Sequence, residues 1–170
     1  GENGKESLFE VQYTDVQGAG FGCLQCSEGN VAVGFSGIRN YVGPNYTSGF
    51  SFNVPTQETY NAFEVGDSRL KGSVLDIEAW AAETGATYGV GNEDTGFFNQ
   101  KYLPRLRSGE AQGDLNLTNP NNYRAIRYAD VLLMAAEANN KIGNDGKALL
   151  YINQVRDRAF GDTNHRTTAV

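Results

Sequence analysis

The sequence contains little of what metal and redox sites need. It has one histidine, His165, and two cysteines, Cys23 and Cys26, which stand as Cys-Leu-Gln-Cys. A structural zinc site would require a second cysteine pair or suitably spaced histidines. A thioredoxin-like redox motif would lie in a βαβ unit, whereas this pair lies in a Gly-rich stretch. We therefore interpret the pair as a local disulfide or as two free thiols.

Positive charge and long apolar runs are also scarce. Lys and Arg number 14 against 20 Asp and Glu, which gives a net charge of −6 and a pI near 4.8. Nucleic-acid binding is disfavoured because it needs clustered Lys and Arg. No apolar run approaches the roughly 20 residues of a membrane span, and the start lacks the features of a signal peptide. We expect a soluble chain whose export signal has been removed or lies outside this sequence.

Recognisable catalytic motifs are missing as well. The sequence shows no Ser-His-Asp pattern, no P-loop and no dinucleotide-binding Gly motif. A glycosidase needs only two carboxylates on opposite sides of a bond, and sequence alone does not exclude such a pair among 20 acidic residues. The sequence therefore supports no specific reaction.

Glycine and aromatic residues are abundant instead, with 21 Gly, 9 Tyr and 9 Phe. The glycine density between Gly18 and Gly49 predicts a long ordered loop or short strand pieces. Long loops inside compact proteins are usually functional or disordered, and the aromatic residues of this stretch favour order. These residues are Phe21, Phe35, Tyr41, Tyr46 and Phe50.

Short elements are predicted on both sides of this loop. Residues 7–14 alternate in polarity and predict a strand with one apolar face. Thr56 is predicted to cap a helix that ends at Gly66. A short strand is predicted to end in Val74-Leu75, and residues 109–122 are interpreted as a polar connector. The apolar face of the first strand consists of Phe9, Val11 and Tyr13.

The clearest pattern lies between Arg127 and Gly161, where apolar or small residues recur with the spacing of two amphipathic helices. Between the two segments, Gly143-Asn-Asp-Gly supplies a helix stop followed by capping residues. So short a connection predicts an antiparallel αα-hairpin. The repeating residues are Tyr128, Val131, Leu132, Ala135, Ala138 and Ile142, then Ala148, Leu149, Ile152, Val155 and Ala159.

Two helices of about 15 residues have too little apolar face to stand alone, since such helices are stabilised by packing. Helical hairpins of roughly 34 residues are repeat units that need neighbours stacked on them. We therefore predict that the chain is a piece of a larger helical array and that it is marginally stable by itself.

Four ordered motifs resemble those of the SusD/RagB family of outer-membrane glycan-binding lipoproteins of Bacteroidetes. The hairpin carries Arg127-Tyr-Ala-Asp-Val-Leu-Leu-Met-Ala-Ala-Glu-Ala-Asn-Asn and Tyr151-Ile-Asn-Gln-Val-Arg-Asp-Arg-Ala, which resemble the family's last tetratricopeptide-like unit. The other motifs are Lys5-Glu-Ser-Leu-Phe-Glu-Val-Gln-Tyr, then Asn53-Val-Pro-Thr-Gln-Glu with Ala62-Phe-Glu and Gly66-Asp-Ser-Arg-Leu, then Lys101-Tyr. The resemblance covers the chain from about Lys5 to Ala159.

The resemblance implies a mainly α fold, with a tetratricopeptide-like hairpin, long Gly-rich loops and short strands, as a fragment of an α–α superhelix. Family members are several times longer, open with a lipobox cysteine and carry earlier helical repeats. Residues 1–170 are thus expected to be a C-terminal segment of that kind. Within it we expect a loop-rich region with short strands and one helix (1–122), the hairpin (123–161) and a tail (162–170).

The resemblance also implies non-catalytic capture of oligo- or polysaccharide at the extracellular face of the outer membrane. The expected partner is a TonB-dependent SusC-like transporter, and the expected lipid anchor lies outside this chain. The alternative is a helical-repeat scaffold segment for protein–protein contact without a sugar site of its own.

Candidate glycan-binding residues follow from chemistry, because a sugar site needs an exposed aromatic platform flanked by hydrogen-bonding groups. One candidate group lies in the Gly-rich loop and consists of Arg39, Asn40, Tyr41 and Tyr46, with Asn45. A second consists of Trp80 and Tyr88, flanked by Glu83, Asn92 and Glu93. The alternative is that these aromatic rings pack the loops onto the helices.

Two polar groups have structural alternatives of their own. Asp94 with Asn92 and Glu93 could bind calcium through oxygen ligands, although the spacing lacks an EF-hand pattern and a solvated acidic loop is the alternative. No other metal or cofactor is expected. The hairpin's polar residues could form a functional cluster, or could cap and pair the helices. These residues are Asp130, Glu137, Asn153, Arg156 and Arg158.

Overall fold

The computed structural model describes residues 4–18, 20–91 and 93–170. Helices make up most of the regular structure, which confirms the predicted mainly α class. No helix in these ranges is long and apolar enough to cross a membrane. The elements are β1 (Ser7–Val11), α1 (Val31–Ser36), α2 (Gln57–Asn61), α3 (Arg69–Ser73), β2 (Val74–Asp76), α4 (Ile77–Thr84), β3 (Phe97–Asn99), β4 (Tyr123–Arg127), α5 (Tyr128–Lys141) and α6 (Asp145–Phe160).

The chain divides into two compact units, which differ from the predicted three-part division. The hairpin unit contains the residues up to Val11, Val65–Ser68 and Arg124–Val170, and the loop unit contains Gln12–Glu64 and Arg69–Tyr123. Two early segments join the hairpin unit through hydrogen bonds that sequence does not reveal. Strand β1 pairs with β4, and the main-chain N–H and hydroxyl of Ser68 both donate to the carbonyl of Ala159.

The hairpin forms as predicted. Asp130 closes the start of α5, since its carboxylate accepts the main-chain N–H of Arg127 at 3.0 Å. Gly143 and Gly161 follow the two helices with φ of +73° and +76°, a conformation that glycine adopts without a Cβ penalty. The helices pack through mostly small residues, which allows a close approach. The buried ones are Ala129, Leu132 and Ala136 on α5 and Ala148, Val155 and Ala159 on α6.

Part of the predicted apolar stripe, and several apolar side chains outside it, are not covered by this packing. Ile142 is 78% exposed, and large apolar side chains also lie exposed on both helices. The two helices therefore bury only a narrow seam, and the need for further helices stays a prediction. The exposed side chains are Leu133 and Met134 on α5 and Leu150 on α6.

The first strand is shorter than predicted, and its expected apolar face is not buried. Phe9 is 57% exposed and Val11 is exposed as well, so this apolar face is open to solvent. The reason is that β1 belongs to a two-stranded sheet with β4, whose side chains are mainly exposed too. A polar contact pins this region to the hairpin: the carbonyl of Glu6 accepts the N–H of Tyr128 at 2.8 Å.

The carboxylate of Glu6 strengthens that contact. Its Oε1 accepts the N–H of Ala129 at 3.2 Å and a guanidinium N–H of Arg158 at 2.6 Å. Partial burial raises the pKa of Glu6, but the hydrogen bonds from Arg158 and Ala129 and the charges of Arg158 and Arg127 outweigh it, so the pKa lies below its usual value. Glu6 thus links the first strand to both ends of the hairpin.

The loop unit has a core of large side chains drawn from short elements. Strand β2 pairs antiparallel with β3, which sets Leu75 opposite Phe98. The predicted strand at Val74-Leu75 is confirmed, and α4 follows it directly because Asp76 accepts the N–H of Ala79 at 3.0 Å. The core consists of Ile38, Tyr41, Tyr46, Leu75, Ile77, Ala86, Phe98 and Leu103.

More than one helix lies in this region, against the prediction. The predicted helix after Thr56 exists as α2, and the hydroxyl of Thr56 accepts the N–H of Thr59, but it ends at Asn61 rather than at Gly66. Helices α1, α3 and α4 also form. They have eight residues or fewer, too few to display a clear apolar period. Packing rather than propensity stabilises such short helices.

The C-terminal part of the predicted polar connector belongs to this interior. Thr118 and Asn119 are both 0% exposed. Their side chains bind main-chain groups instead of water. The hydroxyl of Thr118 donates to the carbonyls of Gln112 and Asp114. The side-chain amide of Asn119 donates to the main-chain carbonyl of Asn30. Polar side chains such as these are tolerated inside a protein when they are hydrogen-bonded.

Close approach of α1 to this segment requires a glycine. A Cβ at Gly34 would lie 1.5 Å from the main-chain oxygen of Asn116. Nearby, Cys23 and Cys26 form a disulfide that encloses a 3₁₀ turn at Leu24–Cys26. Of the two alternatives for this pair, the disulfide is therefore confirmed.

Candidate functional site

Three of the predicted site residues form one buried aromatic cluster. The hydroxyl of Tyr41 accepts the indole N–H of Trp80 at 2.9 Å and donates to the carbonyl of Pro44 at 2.8 Å. The Tyr46 ring lies between the other two, 6.0 Å from Tyr41 and 5.8 Å from Trp80. These spacings are those of favourable aromatic pairs.

Tyr41 and Tyr46 are 5% and 3% exposed, so the expectation that their rings form an open sugar platform is wrong. The Tyr46 ring also carries the guanidinium of Arg105 at 5.0 Å. Gly43 permits this packing, because a Cβ there would lie 2.6 Å from Ala86 and from the Tyr41 hydroxyl. The burial of the two tyrosines supports the alternative that these rings pack the loop.

Trp80 and Tyr88 lie at the edge of the same core and are partly exposed. Burial, together with the charges of Glu78, Asp94 and Asp76, raises the pKa of Tyr88. Its hydroxyl therefore keeps its proton and can donate a hydrogen bond. Glu83 is exposed, and Asn92 lies outside the described residues.

Arg39 and Asn40 lie at the surface of the Gly-rich loop. The guanidinium of Arg39 donates to the carbonyl of Phe50 at 3.0 Å, and its main-chain N–H donates to the Ser51 hydroxyl at 2.9 Å. A guanidinium has five N–H donors, so these contacts leave side-chain donors that can face solvent. Arg39 is thus held in place while it retains binding capacity.

Arg39 lines a surface cleft of about 290 Å³, and the sequence did not predict that its lining residues lie together. One wall comes from the segment after Phe50 and the other from the loop that contains Glu93. Apolar and aromatic surface makes up much of the lining, and carboxylate, guanidinium and hydroxyl groups lie beside it. The lining residues are Arg39, Phe50, Ser51, Phe52, Val54, Val90, Gly91, Glu93, Asp94 and Phe98.

The segment that forms the first wall has an unusual backbone. Ser51 and Asn53 have φ of +58° and +55°, and Asn40 and Asn45 in the same loop are also positive. For Ser51 this conformation costs roughly 1–2 kcal/mol. Main-chain hydrogen bonds offset the cost, because Ser51 and Phe52 donate to the carbonyls of Gly37 and Phe35 at 2.7 and 2.8 Å. Backbone strain of this kind concentrates at ligand sites.

Among the described residues, no group of three or more His, Cys, Asp or Glu is arranged to hold a metal ion. Asp94 instead accepts the N–H of Gly96 at 2.8 Å and stabilises its own turn. The calcium hypothesis also involves Asn92, which lies outside the described residues, and it stays a prediction.

The hairpin's polar residues mainly cap and pair structure. Asp130 caps α5, and Arg158 binds Glu6. Asn153 exchanges two hydrogen bonds with the main chain of Thr167, and Arg156 donates to the carbonyl of His165. These contacts support the capping and pairing alternative for four of the five. The fifth, Glu137, lines a second, shallow cleft beside α5 and α6.

Comparison with known proteins adds family information. The profile of the SusD family (SusD_RagB) matches residues 76–169. The chain is 29% identical to SusD-like protein P2 of Formosa agariphila over 161 residues, which covers 91% of this chain and 30% of that protein. With SusD-like protein P38 of the same organism it shares 26% over 169 residues, 92% of this chain and 31% of the relative. The chain thus spans about a third of the length of these curated relatives.

Solved structures agree. A laminarin-binding SusD-like protein superposes with a TM-score of 0.79 at 34% identity, over 93% of this chain and 35% of its own. Surface glycan-binding protein A from Bacteroides fluxus superposes with a TM-score of 0.80 at 28% identity, over 98% of this chain and 35% of its own. Surface glycan-binding protein A from Bacteroides thetaiotaomicron in complex with laminarihexaose superposes with a TM-score of 0.76 at 28% identity. The superposition covers 95% of this chain and 36% of that protein.

Proposed function

This chain belongs to the SusD family, and we propose that its protein captures oligo- or polysaccharide at the bacterial cell surface without catalysis. The similar proteins named as laminarin-binding or complexed with laminarihexaose support this proposal. Because the chain spans about a third of those proteins, the proposal concerns the full-length gene product.

The cleft beside Arg39 is the observation that supports this proposal, and its lining residues are the ones that we propose contact the sugar. A sugar ring has an apolar C–H face and a rim of hydroxyl groups. Phe50 and Phe52 provide aromatic surface for the face, while Arg39, Glu93 and Asp94 provide a donor and acceptors for the hydroxyls. Arg39, Phe50 and Phe52 lie on backbone that is tied down by hydrogen bonds, so their side of the cleft needs little ordering on binding.

We propose delivery of the captured glycan to a TonB-dependent SusC-like transporter, with the protein anchored by lipid to the outer membrane. Both statements follow from the family resemblance and not from contacts in this chain. Co-purification of the protein with an outer-membrane barrel from its native host would support the transporter proposal, and its recovery as a free periplasmic protein would contradict it.

Calorimetric titration of the full-length gene product with laminarin and other glycans tests the capture proposal. We expect binding that weakens by about tenfold on Arg39→Ala, the loss of roughly 1.4 kcal/mol from hydrogen bonds to a charged group. Lys141→Ala, an exposed cation on α5, is the matched control and should bind like the wild type. Failure of the wild-type protein to bind any glycan in a broad panel would overturn the proposal.

The second candidate function is a scaffold for protein contacts, and the exposed apolar side chains of the hairpin favour it. Leu133, Met134, Ile142 and Leu150 lie open on α5 and α6, where a partner helix could cover them. This function predicts co-purification with a partner protein in the absence of any glycan binding. If Met134→Asp no longer co-purified with that partner while Arg39→Ala still did, the scaffold function would be supported over glycan capture.

A further inference from the structure

We propose that the glycan surface extends beyond the cleft as a strip of four phenylalanine rings, which takes successive units of an extended, neutral glycan chain. This inference rests on the proposed function and adds to it the length and charge of the ligand. The four rings, in spatial order, are Phe21, Phe50, Phe35 and Phe52.

The rings follow one another without a gap. Phe21 meets Phe50 edge to face at 6.4 Å between centroids, Phe50 lies 5.5 Å from Phe35, and Phe35 lies 6.0 Å from Phe52. The end rings are open to solvent, with Phe21 60% and Phe52 56% exposed, and the two inner rings are partly exposed. A contiguous row of exposed aromatic rings is uncommon on a protein surface without a binding role.

The row is continuous with the cleft, which identifies its occupant. Phe50 and Phe52 belong to both, so a ligand in the cleft that continues past Phe50 reaches Phe21. Phenylalanine offers no hydrogen-bonding group, and it therefore suits the C–H face of a sugar rather than its hydroxyl rim. The polar groups of the cleft hydrogen-bond the hydroxyls of the ligand, and the strip adds apolar contact area for each further sugar unit.

The disulfide turn holds Phe21 at the outer end of the strip. The N–H of Cys23 donates to the carbonyl of Gly20 at 3.1 Å, and that of Cys26 donates to Cys23 at 3.2 Å. Just after the turn, the hydroxyl of Ser27 donates to the carbonyl of Leu117, a residue of the buried segment. The chain on the C-terminal side of Phe21 is thus closed on itself and fastened to the core, which lowers the ordering cost of contact with a ligand.

Charge argues for a neutral ligand. The cleft contains the carboxylates of Glu93 and Asp94 against the single guanidinium of Arg39, and the whole chain has a net charge of −6. The carboxylates of the cleft would therefore repel a sulfated or uronate-rich polymer. Neutral sugars avoid this repulsion and use the same carboxylates as acceptors.

The test measures affinity against chain length in the full-length gene product. The probes are laminaribiose and laminarihexaose, with short and long members of the cello-, manno- and malto-oligosaccharide series and an alginate oligosaccharide as the anionic probe. We expect the long member of one neutral series to bind more tightly than its short member. Phe21→Ala should weaken the long ligand by about three- to tenfold and leave the short ligand unchanged.

Matched variants make the result specific. Phe9→Ala removes a ring of similar exposure in the hairpin unit and should change neither affinity. Phe21→Tyr keeps the ring and should retain the preference for long chains. Cys23→Ser with Cys26→Ser should reduce the long-chain affinity in the same direction as Phe21→Ala.

The outcomes separate the two proposals. If Phe21→Ala and Phe9→Ala bind alike while the wild type still binds glycan, the strip is overturned and the proposed function stands. Tighter binding of the alginate probe than of every neutral probe would overturn the neutral ligand. Absence of all glycan binding by the wild type would overturn the strip together with the proposed function.

Discussion

The two units bury different kinds of side chain. The hairpin unit has the long regular helices, yet its seam consists largely of alanines such as Ala136 and Ala148, and large apolar residues such as Ile142 stay exposed. The loop unit has short elements, yet it buries Phe98, Leu103 and two tyrosine rings. Regular secondary structure and a substantial core thus lie in different parts of this chain.

The difference follows from how each unit satisfies its main chain. Helices pair their own main-chain N–H and C=O groups, so the backbone of α5 and α6 needs few side-chain partners. The loop unit must find partners for irregular backbone, and side chains such as Thr118, Asn119 and Asn121 supply them. Once those partners are placed, the loops enclose large apolar residues.

The largest predicted effect tests this contrast in burial directly. Phe98→Ala removes a ring that is 1% exposed and should lower the free energy of unfolding by about 3–5 kcal/mol. Phe9→Ala removes an exposed ring of the hairpin unit and should change it by no more than about 0.5 kcal/mol. Denaturant unfolding followed by circular dichroism measures both. Equal effects would show that the loop unit does not hold the better core.

A pair of glycines sharpens the comparison between packed and open helices. Gly34→Ala places a Cβ against the main-chain oxygen of Asn116 and should destabilise the protein by about 1–3 kcal/mol. At Gly72 in α3 a Cβ would meet nothing within 4 Å, and Gly72→Ala should stabilise it by about 0.5–1 kcal/mol. The midpoints of thermal unfolding should therefore move in opposite directions. A loss of stability at both sites would contradict the open surroundings of Gly72.

Sequence predicts the hairpin unit better because its signals are local. The recurrence of apolar residues and the glycines at 143 and 161 are enough to place both helices within a few residues. The longest of the four motifs that resemble the family lies in the same stretch. The exposure of Phe9 escapes such reasoning, since strand alternation predicts which residues share a face but not whether another element covers it.

The loop unit and its site resist prediction because their contacts are between residues distant in sequence. Composition placed Tyr41 and Tyr46 in an aromatic loop, but the ring positions depend on Trp80 and on the absence of a Cβ at Gly43. Arg39 lies at the surface, and its predicted role in glycan binding stays a prediction. Phe52 was missed, because the left-handed conformation of Ser51 that brings it to the cleft beside Phe50 has no clear sequence signal.

Removal of the disulfide tests how locally the loop unit is built. Cys23→Ser with Cys26→Ser opens a ring of four residues, so the stability should fall by no more than about 2 kcal/mol, because short rings constrain the unfolded chain little. Thermal unfolding of the double variant, against wild type in the presence and absence of reductant, measures this. A larger loss, or collapse of the fold, would mean that the turn supports the core and not only the position of Phe21.

The smallest predicted effect concerns the polar contact that compensates for the thin core of the hairpin unit. Glu6→Gln removes the charge that binds Arg158 and should cost no more than about 1 kcal/mol, because the side chains are over a third exposed and solvent screens the pair. The folded-state pKa of Glu6 lies below its ordinary value of 4.5, so its contribution is present above that value and is lost as pH falls through the folded-state pKa. The stabilities of wild type and variant should therefore differ at neutral pH and converge in acid. Parallel pH profiles, measured by denaturant unfolding, would show that Glu6 acts through its main-chain carbonyl alone.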